Sequence, residues 1–260
     1  MQEVRLEQDA GGVARIVLAR AEKHNAMSAR MMGELVEAAE TVAEDESIRV
    51  VVLAADGGTF CAGGDLAWMR EQFEADRTTR VRESSRIARA LGALYALPQP
   101  LIGMVHGNAF GGGLGLISVC DVAVGVRTAR FALTEVKLGL IPANIGPYVV
   151  HRLGGARAAS IFMNGRVFTG DEAMALGLLT RAVEAEALEE AVEAEVAPYL
   201  QCAPGAVRDA KRLLRDLAGE VSGEDVDMAI DALADRWETA EAREGIAAFF
   251  EKRRAPWVES

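Results

Sequence analysis

Two short glycine-rich stretches and one glutamate carry most of the chemistry legible in this chain. FCAGGDL (60–66) and AFGGGLGL (109–116) each follow an apolar run and precede a helical pattern. Bare glycines at a strand-to-helix junction let the backbone come close to a ligand or turn sharply. They also leave helix-start N–H groups free to hold an anion. One such loop supplies one donor, and two brought together make a two-donor hole for a developing oxyanion. The glutamate is Glu135, in FALTEV. Read as a strand, the alternation Phe131, Leu133, Glu135 sets its carboxylate on the same side as two large apolar residues. An apolar setting disfavours the charged form and raises the pKa toward values useful for moving protons. Plainer readings stand beside these. The glycines also suit a small-residue helix packed on a sheet, and Glu135 also suits a frayed strand end turned to solvent.

Other residues invite chemistry less strongly. Asp65 directly precedes the helical LAWMREQF, so its carboxylate reads as a helix N-cap. Cys61 needs a base beside it to act as a nucleophile, and His24, His106 and His151 are scattered, so it reads as a small loop residue. Gly113 and Gly115 begin a dinucleotide-type GxG, and Glu135 lies about 20 residues further on. The third position is Ser118, however, and no regular strand–helix alternation surrounds the motif. The absence of GxSxG, HExxH and paired CxxC weakens serine-hydrolase and zinc readings. Trp68, Met69 and Phe73 follow the first glycine loop at helical spacing and suit either a pocket wall or plain core.

The elements that must position these groups follow from patterning. At 260 residues, half of them hydrophobic and 26% charged, the chain can bury a large core. A net charge of −11 argues against a nucleic-acid partner, which calls for a basic face. No apolar stretch reaches membrane-spanning length and the acidic N-terminus lacks signal-peptide features, so no membrane role is expected. Three widely spaced cysteines, Cys61, Cys120 and Cys202, suit free thiols in a reducing cytoplasm. VRLEQ and VARIVLA flank Gly11-Gly12 as a hairpin. Ser28 suits the N-cap of a helix running to about Glu44, with the stripe Met31, Met32, Leu35, Val36, Ala39 and Val42. IRVVVLAA reads as a strand covered on both faces. A helical region interrupted near 74–78 ends before Pro98. LIGMV is then a buried strand, and LGLISVC a buried helix starting where the glycines end. DVAVGV and FALTEV read as short strands, and nearly everything beyond Pro142 as helix. An α/β core over residues 1–200, carrying the site, and a helical region over 201–260 are therefore expected.

Five motifs in order carry a resemblance over almost the full length. AEKHNAMS, FCAGGDL, HGNAFGGGLGLISVCD, FALTEVKLGLIPANIGP and EGIAAFFEKRRAPW resemble segments of the crotonase (enoyl-CoA hydratase/isomerase) superfamily. The resemblance implies a spiral of ββα units with a C-terminal helical trimerisation region, assembled as a homotrimer or a homohexamer (a dimer of trimers). It implies an acyl-CoA substrate whose thioester oxygen is held by the backbone N–H groups of Gly64 and Gly112, with Glu135 moving protons. Lys23, His24, Ala26, Ala62, Asp65 and Leu66 are implied in contact with CoA or substrate, and Phe249 and Lys252 with the CoA of a neighbouring subunit. Lys252, Arg253 and Arg254 offer local positive charge to phosphates, and equally suit a solvated helix end. CoA belongs to the substrate, and no metal or redox cofactor is implied.

One departure matters. Hydratases such as the mitochondrial short-chain enzyme use two glutamates to position water, and the first of these matches Gly115. The wording is most similar to bacterial methylglutaconyl-CoA and isohexenylglutaconyl-CoA hydratases, which likewise tend to have glycine there. A cytoplasmic hydratase of a 2-enoyl-CoA, straight or branched in the manner of methylglutaconyl-CoA, is the implied activity, with fatty-acid and leucine breakdown as its setting. The alternatives are a Δ3,Δ2-enoyl-CoA isomerase working with one glutamate and a non-catalytic acyl-CoA binder.

Overall fold

The computed structural model describes residues 1–258. The chain begins with the expected hairpin, β1 (Val4–Gln8) antiparallel to β2 (Val13–Leu18). Asp9 closes its turn by accepting from the N–H groups of Gly11 and Val13. Helix α1 (Ala29–Glu44) starts at Ser28, whose hydroxyl accepts from the Met31 N–H at 3.0 Å. Its buried face is the predicted stripe, except that Ala38 is buried and Val36 half-buried.

Three successive stretches then repeat one pattern of strand, strand, helix. The first runs through β3 (Val50–Ala55), β4 (Thr59–Cys61), α2 (Leu66–Glu74) and α3 (Arg77–Tyr95). The second contains β5 (Leu101–Val105), β6 (Asn108–Phe110) and α4 (Gly112–Ser118). In the third, β7 (Val122–Val126) and β8 (Arg130–Ala132) lead through a 3₁₀ turn (Glu135–Leu138) to α5 (Gly146–Leu153) and α6 (Gly155–Phe162). Each repeat adds one strand to each of two sheets. β3, β5 and β7 stack in parallel in one, and β4, β6 and β8 in the other. This is the ββα spiral that the motifs imply. The central strands read as continuous apolar runs because both faces are covered, and every residue of Val50–Ala54 is buried.

Two short strands, β9 (Phe168–Thr169) and β10 (Arg181–Val183), flank α7 (Gly170–Leu176) and complete the sheet orders β1-β2-β3-β5-β7-β10 and β4-β6-β8-β9. The region after Pro142 is thus less uniformly helical than its pattern suggests. Helices α8 (Leu188–Leu200), α9 (Pro204–Ala218), α10 (Gly223–Trp237) and α11 (Ala240–Phe250) finish the chain. A second, smaller core of Leu140, Ala143, Leu233, Trp237, Ala242 and Ile246 ties α10 and α11 to the loop after Glu135.

Two sequence readings need correction. FALTEV is not a strand to its end, because β8 stops at Ala132 and Glu135 opens the 3₁₀ turn. The neighbours decide this: β6 and β9 offer register partners to residues 130–132 only. The buried helix begins within the glycine cluster, at Gly112, instead of after it. Close packing is the reason, since a Cβ on Gly113 would lie 2.7 Å from the Cys61 carbonyl oxygen.

Candidate active site

The two glycine loops lie against each other and are clamped by the 21–28 loop. Met27 N–H donates to Gly63 O at 2.7 Å, Asp65 N–H to Met27 O at 3.1 Å and Ala62 N–H to His24 O at 3.0 Å. Asn25 holds the clamp. Fully buried, it donates from Nδ2 to the carbonyls of Asp56 and Thr59, and its Oδ1 accepts from the Arg20 N–H. Asp65 caps α2 as its position implies, accepting from Ala67 and Trp68 N–H groups at 2.8 and 3.1 Å. Its other oxygen meets Arg20 Nη1 at 2.7 Å. Burial opposes ionisation there, but the Trp68 N–H and Arg20 outweigh it and hold the carboxyl below the usual range. Both oxygens of Asp65 therefore serve the loop's own structure.

Gly63 takes φ +93°, and a Cβ there would sit 3.0 Å from the Phe110 carbonyl oxygen. A Cβ on Gly112 would lie 2.7 Å from Met27 Sδ, and 3.9 Å from Gly63 Cα. Among the described residues, the N–H groups of Gly64 and Gly112 donate to no backbone carbonyl. Two cavities meet at these glycines and Glu135. The outer, of about 370 Å³, is bordered by Ala62, Leu66, Lys137 and Phe249. The inner, of about 110 Å³, is bordered by Met27, Trp68, Met69, Ile145 and Trp237.

Glu135 stands at the junction. Its Oε1 lies 3.0 Å from where a Cβ on Gly111 would be, so glycine leaves the room it needs. Its Oε2 is buried without a hydrogen-bond partner among the described residues. Burial pushes the carboxyl up to about 7, from the ordinary 4.5. The apolar surroundings expected from strand alternation are present, although a 3₁₀ turn supplies them. Three convergent groups, two N–H donors and one proton-accepting carboxylate of raised pKa, can stabilise an oxyanion while moving a proton beside it.

The remaining residues are divided. Ala62, Leu66 and Phe249 border the outer cavity, Trp68 the inner, and Met69 both. Phe73 packs on the second core instead. Phe249 borders the outer cavity of its own chain. Lys23, His24, Ala26 and Lys252 border neither cavity. Lys23 and Lys252 are exposed, and Ala26 is buried under the clamp. Arg253 is engaged by Glu244 and Glu251, which reduces the free positive charge at that helix end. Cys61 is buried, which pushes its thiol up to about 12 and leaves it a poor nucleophile. Gly115 is fully enclosed: a Cβ there would lie 2.6 Å from Ile145 Cγ2. Arg20, Asn25, Asn144, Ile145 and Trp237 were not legible as site residues. Only Asn25 carried a local signal, as an asparagine at a left-handed turn (φ 52°). Among the described residues, no group of three or more His, Cys, Asp and Glu is placed to hold a metal, and no helix is long and apolar enough to cross a membrane.

Comparison with known proteins agrees with this geometry. The family model described as Enoyl-CoA hydratase/isomerase matches residues 8–260. The chain is 34% identical over 256 residues to enoyl-CoA hydratase domain-containing protein 2, mitochondrial, of Bos taurus, covering 95% of this chain and 84% of that one. Its structure is similar to that of an enoyl-CoA hydratase from Mycobacterium avium, with a TM-score of 0.88, 31% identity and coverage of 98% and 99%. Against Pseudomonas aeruginosa AtuE the TM-score is 0.80, with 36% identity and coverage of 99% and 100%.

Proposed function

The chain belongs to the enoyl-CoA hydratase/isomerase family, and we propose that within it the protein is a hydratase of a 2-enoyl-CoA with a branched acyl group. The observation that carries this reading is the junction itself, where Gly64 and Gly112, whose N–H groups donate to no backbone carbonyl among the described residues, and Glu135, of raised pKa, border the same two cavities. The thioester carbonyl accepts from the two glycine N–H groups. Glu135 takes a proton from water as the water oxygen bonds to C3. The C2–C3 electron pair shifts toward C2 and the thioester oxygen, and the resulting enolate is held by the two donors. Glu135 then returns the proton to C2, so water is added across the double bond with no group left over. Removing one fixed donor of this kind typically costs about 3–4 kcal/mol of transition-state stabilisation.

The outer cavity suits the pantetheine arm of CoA, with Phe249 and Leu66 as apolar walls and Lys137 at its edge. The inner cavity suits a compact, branched hydrocarbon group. No lysine, arginine or histidine borders it, so a methylglutaconyl group would bring its free carboxylate to a site without a cation. CoA arrives as part of the substrate, and the mechanism uses no other cofactor. We also read the protein as a homotrimer or homohexamer. Leu213, Leu214 and Leu217 stand 56%, 65% and 78% exposed on α9, an apolar face that a partner subunit would cover.

The test is a panel of straight and branched enoyl-CoA thioesters, including 3-methylcrotonyl- and 3-methylglutaconyl-CoA, in ¹⁸O-labelled water. Labelled 3-hydroxyacyl-CoA is the expected product. Conversion of 3-enoyl- to 2-enoyl-CoA without label, and no hydration of any member, would replace the hydratase by the single-glutamate isomerase. Tight acyl-CoA binding with neither reaction would leave a non-catalytic binder.

A further inference from the structure

Two tryptophans border the inner cavity, Trp68 on α2 and Trp237 at the end of α10. The Trp68 ring packs on Gly64, where a Cβ would sit 3.8 Å from Trp68 Cε3 and Cζ3. Its indole N–H donates to Glu83 on α3 at 3.4 Å. Trp237 is buried and belongs to the second core. Helix α2 has little apolar anchorage of its own: it buries Gln72 and leaves Leu66, Trp68, Met69 and Phe73 half-buried or exposed. Helix α10 borders the cavity near its end, at Leu233 and Trp237.

One buried side chain joins these two walls. Arg80, near the start of α3, donates from Nε to the Gln72 carbonyl at 2.8 Å and from Nη2 to the Phe73 carbonyl at 3.1 Å. Both carbonyls lie in the last turn of α2, where intrahelical donors run out. Its Nη1 pairs with Glu238, the residue after Trp237. The guanidinium carbon lies 5.2 Å from the Trp237 ring centroid, within range of a cation–π contact. A planar fork of five donors makes these contacts together, which a lysine ammonium does not match.

We propose that Arg80 is a positioning residue that limits the length of the acyl group, by holding Trp68 and Trp237 as fixed walls of the inner cavity. This rests on the reading above that the acyl group enters that cavity. Arg80 itself does not border the cavity and acts through the two tryptophans. An apolar pocket rejects an extra methylene by about 10-fold or more only while its walls hold their places.

The test is a series of 2-enoyl-CoA thioesters from four to ten carbons, read as kcat/KM, with the matching saturated acyl-CoAs read as Kd by calorimetry. Arg80→Lys keeps the charge beside Glu238 and loses the fork, and Trp237→Phe keeps a ring in the second core. Each should raise the ten-to-four-carbon ratio, in kcat/KM and in affinity, by about 10-fold. Glu238→Gln, at a partly exposed site, loosens Arg80 from α10 and should move both ratios the same way by a smaller factor. Arg77→Ala removes the exposed pairs to Asp231 and Asp235 that join the same two helices, and should leave both ratios within about twofold. Losses that are equal at every chain length in Arg80→Lys and Glu238→Gln would make Arg80 a brace of the fold and overturn the proposal. An unchanged ratio in Trp237→Phe would overturn it as well, and so would an equal shift in Arg77→Ala. A wild type that hydrates no enoyl-CoA would remove the hydratase reading alone, because the Kd ratios test the walls independently of turnover.

Discussion

Replacing Glu135 by glutamine should abolish turnover and, above pH 7, make the folded protein more stable. Burial pushes the native carboxyl from 4.5 up to about 7. Below about 4.5 the group is neutral in both folded and unfolded chains, and its burial carries no charge penalty. Between there and about 7 the folded protein keeps a proton that the unfolded chain releases. Above about 7 the buried group is charged and the full penalty applies. The stability contributed by this group is therefore complete below 4.5 and lost as pH rises through about 7. At about 1.4 kcal/mol per pH unit, the rise from 4.5 to about 7 sets an upper limit of about 3.5 kcal/mol. Glu135 is half-buried and its cavity admits water, which screens the charge, so about 1–2 kcal/mol is expected. Glutamine has the same shape without the charge. Its amide needs partners of its own, but that cost does not vary with pH. The assay is urea unfolding of wild type and Glu135→Gln from pH 4.5 to 8.5, comparing midpoints at constant m. All other titrating groups are shared, so the difference isolates position 135. A stability difference that does not change with pH would refute the claim that this carboxylate is desolvated.

The same carboxylate must be ionised to accept a proton from water, so kcat/KM for hydration should rise with pH and level off above about 7; a profile already flat below pH 6 would remove Glu135 as the base. Gly115→Glu should destabilise the protein by about 3 kcal/mol or more, since its Cβ would meet Ile145 at 2.6 Å and its charge would be buried. Adding Ile145→Ala should recover part of that loss in denaturant midpoints. Asp65→Ala removes a cap and leaves Arg20 unpaired, a loss of about 2–4 kcal/mol, whereas Asp65→Asn, able to cap, should lose clearly less. Calorimetric titration with a non-reacting acyl-CoA should show several-fold weaker binding for Phe249→Ala, which borders the outer cavity, than for Lys252→Ala, which does not; equal effects would argue that both act from another subunit.

Local chemistry was legible without coordinates. Ser28 and Asp65 cap the helices they precede, Gly11-Gly12 turns the hairpin, and Met31, Leu35 and Val42 face the core. Each depends on residues within a few positions, so type and spacing suffice. The glycine loops were recognisable for the same reason, because a helix start next to bare backbone is a local event. The residue type and neighbours of Glu135 mark it as a candidate base, but the sequence alone does not place it in a 3₁₀ turn. Strand length depends on where β6 and β9 end, and neither is encoded in FALTEV. The clamp pairing Arg20 with Asp65, the packing of Ile145 against Gly115, and the placing of Asn144 and Glu135 on one cavity all join residues separated by loops or whole elements. Phe249 meets its own chain's cavity because α11 packs on the 3₁₀ turn that begins at Glu135. Such contacts are decided by how sheets stack and helices settle in three dimensions, where a residue's neighbours are set by packing and no longer by position along the chain.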